Sequence, residues 1–237
     1  KQMIQDPQSG MTYIEEQPIP ERVAMLANRV KRWVTLRQKP NSEKRIFLQY
    51  FNFPPGRDNV GAAYLNVLPQ SIWQVVKRLE QEGYNIQNLP KEPSLLRQDI
   101  LKYGANIPSW EQSQIDTLAV SGEPVLLPIS TYQQWFLALP QSAQEMVTNT
   151  WGSPEESNAM TYKDSAGIAY FVLPVRRYGN VLLGPQPSRG KTENPEKLYH
   201  DLKFPPSHQY IAFYLWLHNV FKADAMFTRQ PSANAIC

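Results

Sequence analysis

Two histidines and an aspartate lie close together near the carboxyl end of the sequence. His200 and Asp201 are adjacent, and His208 follows after a double proline. Imidazole is the commonest metal ligand in proteins, and a carboxylate beside it can orient the ring or accept a proton. Neither a cysteine nor a third histidine joins this group, so the spacing does not match a closed zinc site. The pattern leaves two interpretations, an open metal or proton-transfer site and a loop with incidental histidines.

A glycine-containing loop follows an apolar segment in the first third of the chain. It reads FNFPPGRDNVGAAY and covers residues 51–64. Its two glycines have the separation of a P-loop, but alanines stand where that motif needs lysine and a hydroxyl residue, so we expect no nucleotide site. The loop is then either a structural turn or a surface that presents Arg57, Asn59 and Gly61 to another kind of ligand.

A second glycine-containing segment reads YGNVLLGPQPSRG and covers residues 178–190. Its glycines allow another group to approach the backbone closely. Asn180, Gln186 and Arg189 are candidates for binding a polar ligand, and the planar guanidinium of arginine suits carboxylates. A strand followed by a turn with a solvated arginine explains the same residues, and the sequence alone does not decide between the two.

The apolar pattern predicts an α/β fold that would position these segments. Residues 46–53 are apolar on both faces, as in a buried parallel strand, and a helix is predicted over 69–82. Ligands bind beyond the carboxyl ends of the strands in such sheets, which is where the loop at 51–64 would lie. We therefore predict a mixed, partly parallel sheet with flanking helices. Further helices are predicted at 20–37, 94–103, 110–120, 132–139, 142–150 and 207–221, and further strands at 123–130, 167–175 and 178–184.

Length and composition argue against several classes of protein, namely nucleic-acid-binding, membrane-spanning and disulfide-rich proteins. The chain has 237 residues, of which 42% are hydrophobic, and a formal net charge of +3. This length suits one large domain or two small ones. No lysine- and arginine-rich block of the kind that binds nucleic acid is present, and no apolar run reaches the ~18 residues of a membrane span. The single cysteine, Cys237, excludes a disulfide framework and favours a reducing, cytoplasmic compartment.

Four motifs in order resemble the large subunits of ATP-dependent metal chelatases, the family of aerobic cobaltochelatase and the H subunit of magnesium chelatase. They are RIFLQYFNFPPGRDNVGAAYLNV, the segment 139–156 that ends in WGSPEE, YGNVLLGPQPSRG, and YHDLKFPPSHQYIAFYLWLHNVFKADA. The last motif is more similar to the cobalt type, because magnesium-type subunits usually lack its Tyr-His-Asp.

The resemblance also implies how the chain is organised. It would be an incomplete piece of a larger, multidomain α/β subunit, which agrees with a first residue that is not methionine. We expect a loose segment at 1–19 and a family region at 20–225 with two lobes near 20–120 and 121–225. An atypical tail without a strand pattern would follow at 226–237.

The resemblance implies a reaction. The large subunit would hold the tetrapyrrole and the metal, while AAA+ partner subunits bind and hydrolyse ATP. The cobalt type inserts Co²⁺ into hydrogenobyrinic acid a,c-diamide in cobalamin biosynthesis, and the magnesium type inserts Mg²⁺ into protoporphyrin IX. His200, Asp201 and His208 would be catalytic, with His200 and His208 as metal ligands. Substrate-binding residues would be Arg57, Asn59, Gly61, Asn180, Gln186 and Arg189.

The sequence departs from the family pattern at two places. The family commonly has two adjacent histidines after the double proline, and here the second is Gln209. The family continues after KADA into a Gly-His-Gly-rich segment with a glutamate, whereas this chain reads MFTRQPSANAIC. We therefore expect the isolated chain not to insert metal. A non-catalytic module that binds tetrapyrrole or a partner protein is an alternative of a different class.

Overall fold

A computed structural model of the chain describes residues 2–60, 68–188 and 204–228. The chain divides into two compact units, Lys1–Pro40 and Asn41–Cys237. This division differs from the two lobes predicted near 20–120 and 121–225. All four family motifs belong to the larger unit.

The smaller unit contains a strand pair and one helix. β1 (Gln2–Gln5) and β2 (Thr12–Glu15) pair antiparallel, so the segment predicted to be loose contains a hairpin. α1 (Pro20–Gln38) confirms the predicted helix, but none of its residues is buried. Its apolar stripe is exposed, and Val23 and Val34 each keep 51% of their accessible surface. The helical period locates an apolar face, whereas burial requires a second surface against it.

A four-stranded sheet forms the centre of the larger unit. β3 (Ile46–Tyr50) is buried along its whole length and pairs parallel with β8 (Val181–Pro185) and β9 (Ala225–Thr228) on its two sides. β7 (Arg176–Tyr178) pairs antiparallel with β8 through a hairpin. The order β7-β8-β3-β9 confirms the predicted mixed, partly parallel sheet.

β9 contradicts the prediction that residues from 226 onwards have no strand pattern. Met226, Phe227 and Thr228 pair in register with β3, and all three are exposed. β9 forms one edge of the sheet, where backbone pairing alone can hold a strand. Such a strand does not need the alternating apolar residues from which strands are normally predicted. Residues 229–237 lie outside the described part of the chain.

A second sheet of three antiparallel strands and several helices complete the larger unit. Its strands are β4 (Val125–Pro128), β5 (Thr161–Lys163) and β6 (Ala169–Leu173), in the order β4-β6-β5. β4 lies at an edge, as Pro128 predicts, because proline has no N–H to donate. The predicted helices are confirmed as α2 (Leu68–Gln81), α3 (Pro93–Tyr103), α4 (Gln112–Val120), α5 (Ile129–Leu137), α6 (Gln141–Trp151) and α7 (His208–Trp216), which continues as a π-helix over Leu217–Phe221.

Both faces of β3 are covered, as its continuous apolar run predicts. Phe47 belongs to a core that includes residues of α5, α6 and α7, and its ring centroid lies 5.5 Å from that of Phe213 on α7. Ile46 and Leu48 belong to a second core formed with α2 and α3. The aromatic residues of α7 therefore serve mainly as core. With both faces of the sheet occupied, the ends of its strands are where a ligand can reach them.

Candidate functional site

A cleft of about 250 Å³ lies beyond the carboxyl ends of β3 and β8. Pro55 comes from the loop after β3, Ser188 from the segment after β8, and residues 207–209 from the start of α7. The remaining lining comes from residues 106–109, which follow α3, and from residues 150–151 and 156–160 around the end of α6. The cleft is therefore at the end of the sheet where the sequence predicts a ligand.

Two buried asparagines join the segments that form one side of this cleft. Asn52 Oδ1 accepts from the backbone N–H of Asn106 at 2.6 Å, and Asn52 Nδ2 donates to the carbonyl of Gly56 at 2.8 Å. The N–H of Gly56 donates to the carbonyl of Asn106 at 2.8 Å, and Asn106 Nδ2 donates to the carbonyl of Gln186 at 2.7 Å. The chain segments after β3, α3 and β8 are thus held together by hydrogen bonds.

Neither Asn52 nor Asn106 is among the site residues predicted from the sequence. Asn52 lies within an apolar run, between Phe51 and Phe53, and a polar residue in such a run needs buried partners. That signal was available, but its partner Asn106 is 54 residues away. Pairings at that separation cannot be read from local spacing.

Three buried polar side-chain atoms within the described ranges have no hydrogen-bond partner. They are Asn106 Oδ1, Ser188 Oγ and Gln209 Nε2, and all three residues line the cleft. Roughly 90% or more of buried polar groups in proteins have a partner. Their concentration in one cleft leaves hydrogen-bonding capacity unused there within the described residues. Asn106 and Gln209 are only 2% and 1% exposed, so bulk water does not reach them freely.

His208 lies at the first turn of α7 and uses both of its ring nitrogens. Nε2 lies 3.0 Å from the carbonyl oxygen of Gly152, and Nδ1 lies 2.8 Å from the hydroxyl of Tyr132. A carbonyl can only accept, so Nε2 carries the hydrogen and Nδ1 accepts from the tyrosine. A metal or proton-accepting role for His208 would require the ring to give up one of these bonds. That role stays a prediction.

The WGSPEE motif holds His208 in this orientation. Trp151 Nε1 donates to the carbonyl of Pro205 at 3.0 Å, which ties the end of α6 to the double proline. Gly152, the acceptor of the His208 bond, ends α6 with a φ of 76°. Ser153 and Glu156 form a capping box for the short helix that follows. The turn after α6 thus positions a residue of the cleft.

The described lining of the cleft carries no positive charge at neutral pH. Burial lowers the pKa of His208, although the bond to Gly152 and the charge of Glu155 act in the opposite direction. The backbone N–H of Ser153 donates to the Glu156 carboxylate at 2.6 Å and lowers the pKa of that carboxyl. Within the described ranges neither a lysine nor an arginine lines the cleft. The described part of the lining therefore favours neutral polar groups over anions.

The lowered pKa of His208 predicts a pH-dependent stability. The unfolded chain binds this proton more readily than the folded protein, so the contribution to stability is complete above about pH 6.5. It falls as the pH drops through the folded-state pKa. We expect the urea midpoint to decrease between pH 7.5 and pH 5, and to decrease less in His208→Gln. His218→Gln, a change at an exposed histidine, is the matched control, and an equal pH response in all three proteins would contradict the prediction.

Two of the predicted substrate residues lie beside the cleft without lining it. Arg57 and Asn59 form the short 3₁₀ helix that follows Pro55 and Gly56, with Arg57 exposed and Asn59 half-buried. The predicted role of Arg57 and Asn59 in substrate binding stays a prediction. Gln186 contributes its backbone carbonyl to the bond with Asn106.

Of the other predicted residues, only Asn180 lies within the described ranges, and it is not at the cleft. Asn180 lies in the turn between β7 and β8, at the opposite end of β8, where its Nδ2 donates to the carbonyl of Ser42 at 2.9 Å. Gly61, Arg189, His200 and Asp201 lie outside the described residues. The described residues contain no group of three or more histidine, cysteine or acidic side chains that could hold a metal ion.

A model of the CobN/Magnesium Chelatase family matches residues 2–228. The chain belongs to the CobN/magnesium chelatase family. The match begins within the hairpin of the smaller unit and extends through β9. It therefore corrects the prediction that the residues after KADA have no family likeness, as far as Thr228. None of the helices within the described ranges combines the length and the apolar character needed to cross a membrane.

Relatives in the CobN/magnesium chelatase family include both metal types. The chain is 30% identical to the aerobic cobaltochelatase subunit CobN of Pseudomonas aeruginosa, over 87% of this chain and 16% of that protein. It is also 30% identical to the chloroplastic magnesium-chelatase subunit ChlH of Oryza sativa, over 93% of this chain and 14% of that protein. The solved catalytic subunit of cobaltochelatase from Mycobacterium tuberculosis superposes on this chain with a TM-score of 0.69 at 26% sequence identity. The superposition covers 95% of this chain and 18% of that subunit. The chain thus spans less than a fifth of each relative.

Proposed function

We propose that this chain is part of the large, tetrapyrrole-holding subunit of a metal chelatase, and that its cleft receives a substituent of the ring. The observation that carries the proposal is the group of three buried, unpartnered polar atoms at the ligand-binding end of the sheet. Family membership supplies the class of ligand, because the relatives are chelatase subunits by name.

The size of the cleft limits what it can hold. Pockets that enclose a whole drug-sized ligand measure roughly 300–1,000 Å³, whereas this cleft measures about 250 Å³. It accommodates a peripheral side chain of a tetrapyrrole and not the macrocycle. The ring itself would lie outside, where Arg57 is exposed, and Asn59 and Arg189 are proposed to contact its other substituents.

The cobalt reaction is the first candidate, with Co²⁺ inserted into hydrogenobyrinic acid a,c-diamide for cobalamin biosynthesis. Support comes from the cobalt-type Tyr-His-Asp at 199–201 and from the absence of a positive charge in the described lining of the cleft, which suits an amide better than an acid. Insertion of Mg²⁺ into protoporphyrin IX is the second candidate, because the Oryza sativa relative is as similar as the Pseudomonas relative. A non-catalytic module that binds the ring or a partner protein is the alternative outside enzymes.

The complete reaction would involve further protein. We propose that AAA+ partner subunits hydrolyse ATP, since the loop at 51–64 lacks the lysine of a P-loop. Two N–H protons leave the ring as the metal enters, which requires a base, and His200, Asp201 and His208 are the proposed groups. The cytoplasmic location stays a prediction from the single cysteine.

Ring binding tests the proposal directly. Titration of either ring into the subunit that contains this chain should quench its fluorescence. If the cobalt assignment is right, the corrin-type diamide should bind more tightly than protoporphyrin IX. Tighter binding of protoporphyrin IX would favour the magnesium assignment, and binding of neither ring would overturn the proposed function. In an insertion assay with partner subunits, His200→Ala and His208→Ala should lower metal insertion more than ring affinity. Unchanged insertion in both variants would remove these residues from the reaction.

A further inference from the structure

We propose that the cleft recognises a primary carboxamide, with Asn106 Oδ1 accepting from its –NH₂ group and Gln209 Nε2 donating to its carbonyl oxygen. This inference rests on the proposed function, since it identifies the ring substituent that the cleft would hold. It assigns a chemical class to the site from the hydrogen-bonding capacity that the described residues leave unused.

The orientation of the Asn106 side chain is determined by its neighbours. Nδ2 lies 2.7 Å from the carbonyl oxygen of Gln186 and 3.4 Å from that of Asn52. Backbone carbonyls only accept hydrogen bonds, so the atom beside them must be the NH₂ group. The unpartnered atom is therefore the oxygen, and Asn106 offers the cleft an acceptor. A ligand that satisfies it must donate a hydrogen.

Gln209 and Ser188 offer the complementary groups. Gln209 belongs to the first turn of α7 and is 1% exposed, and its unpartnered atom is the donor Nε2. The hydroxyl of Ser188 can donate or accept, so it can serve either end of a ligand. A donor and an acceptor in one small cleft match the two ends of a carboxamide, which carries both functions on one carbon.

A carboxylate fits the same atoms poorly. It has no hydrogen to give to Asn106 Oδ1, so a buried acceptor would stay unsatisfied beside a second negative oxygen. Glu156 adds a negative charge to the described lining, which contains neither a lysine nor an arginine. Burying an unpaired charge costs far more than burying a hydrogen-bonded amide. The described lining therefore discriminates an amide from the corresponding acid.

The test compares two ligands on the same subunit, a corrin-type ring with peripheral carboxamides and the same ring with carboxylic acids at those positions. We expect the diamide to bind at least about tenfold more tightly at pH 7.5, because mispairing one buried hydrogen bond costs about that factor. Gln209→Met keeps the size of the side chain but removes the donor. It should weaken binding of the diamide about tenfold without reducing the preference over the diacid, because a carboxylate oxygen can accept from Gln209 Nε2 as an amide oxygen does.

Matched variants make the outcome decisive. Gln134→Met makes the same replacement at an exposed position of α5 and should keep the wild-type affinity. Ser188→Ala removes a single oxygen and should also weaken binding of the diamide. It takes the place of Gln209→Met where a melting experiment shows that variant to be poorly folded. Equal binding of diamide and diacid by the wild type would overturn the carboxamide assignment while leaving the proposed function intact. Binding of neither ring would overturn both.

Discussion

Replacing Asn52 with alanine should lower the free energy of unfolding by about 2 kcal/mol, because the buried N–H of Asn106 loses its partner and the carbonyl of Gly56 keeps only its bond from the N–H of Asn59. The side chain accepts from the N–H of Asn106 and donates to the carbonyl of Gly56. Alanine can replace neither bond. Asn52 is 1% exposed, so water does not reach these groups without an opening of the loop.

The same replacement should weaken ring binding. Asn106 contributes the unpartnered oxygen of the cleft, and Pro55 lies between Asn52 and the rest of the loop after β3. Loss of the bonds that hold both segments would leave this side of the cleft without a defined shape. We therefore expect the affinity for the corrin-type ring to fall at least about tenfold, measured by the same fluorescence titration.

Urea unfolding and ring titration of Asn52→Ala are best compared with Asn149→Ala. Asn149 is exposed on α6, and its replacement should change stability by no more than about 0.5 kcal/mol. A double variant of Asn52 and Asn106 should be less destabilised than the sum of the two single variants, since the two residues share the same bonds. Additive effects, or a stable Asn52→Ala protein with unchanged ring affinity, would show that the asparagine pair does not shape the cleft.

Replacing Gly179 with alanine is expected to cost at least about 3 kcal/mol of unfolding free energy, through a backbone clash added to an unfavourable φ. Gly179 has a φ of 66°, and an added Cβ would lie 2.5 Å from the carbonyl oxygen of Asn85 and 3.1 Å from the backbone N of Gln87. Those atoms cannot rotate away as a side chain would. The next residue, Asn180, also donates its N–H to Asn85 at 2.8 Å, so the two segments are bound together.

Gly122→Ala separates the two causes. Gly122 has a similar φ of 74°, but an added Cβ would meet nothing within 4 Å. The free energy of unfolding of this variant should fall only by about 1–2 kcal/mol, which is the cost of the unfavourable φ. The difference between the two variants in urea unfolding then measures the close approach at Gly179. Equal losses would mean that the turn between β7 and β8 can move away from Asn85 without cost.

At Gly179 the sequence correctly predicts a close approach to the backbone, but the group that approaches is not a ligand. The sequence predicts that glycines of this segment allow a close backbone approach, and at Gly179 that approach exists. The approaching group is the chain near Asn85, at the end of β8 away from the cleft. Composition indicates that space is needed, whereas the identity of the neighbour depends on how distant segments pack.

The elements follow from the sequence wherever burial is expressed in local spacing. β3 is predicted because both of its faces are apolar, and the helices because their apolar residues recur at helical intervals. β9 and the hairpin of β1 and β2 are missed, because backbone pairing holds them while their side chains remain largely exposed. The apolar face of α1 is predicted, but its burial is not, since that depends on another surface.

The chemistry of the cleft depends on contacts across much longer separations. Local order of strand and loop is enough to predict the end of the sheet at which the cleft lies, and four motifs are enough to recognise the chelatase family. The pairing of Asn52 with Asn106 spans 54 residues, and that of His208 with Tyr132 spans 76. Hydrogen-bond partners that far apart are chosen by packing, because a donor or acceptor is satisfied by whichever group the fold brings to it. For that reason, residue types and spacing predict His208 as a metal ligand, whereas in the folded chain both of its ring nitrogens are hydrogen-bonded. The unpartnered polar atoms of the described cleft lining belong instead to Asn106, Ser188 and Gln209.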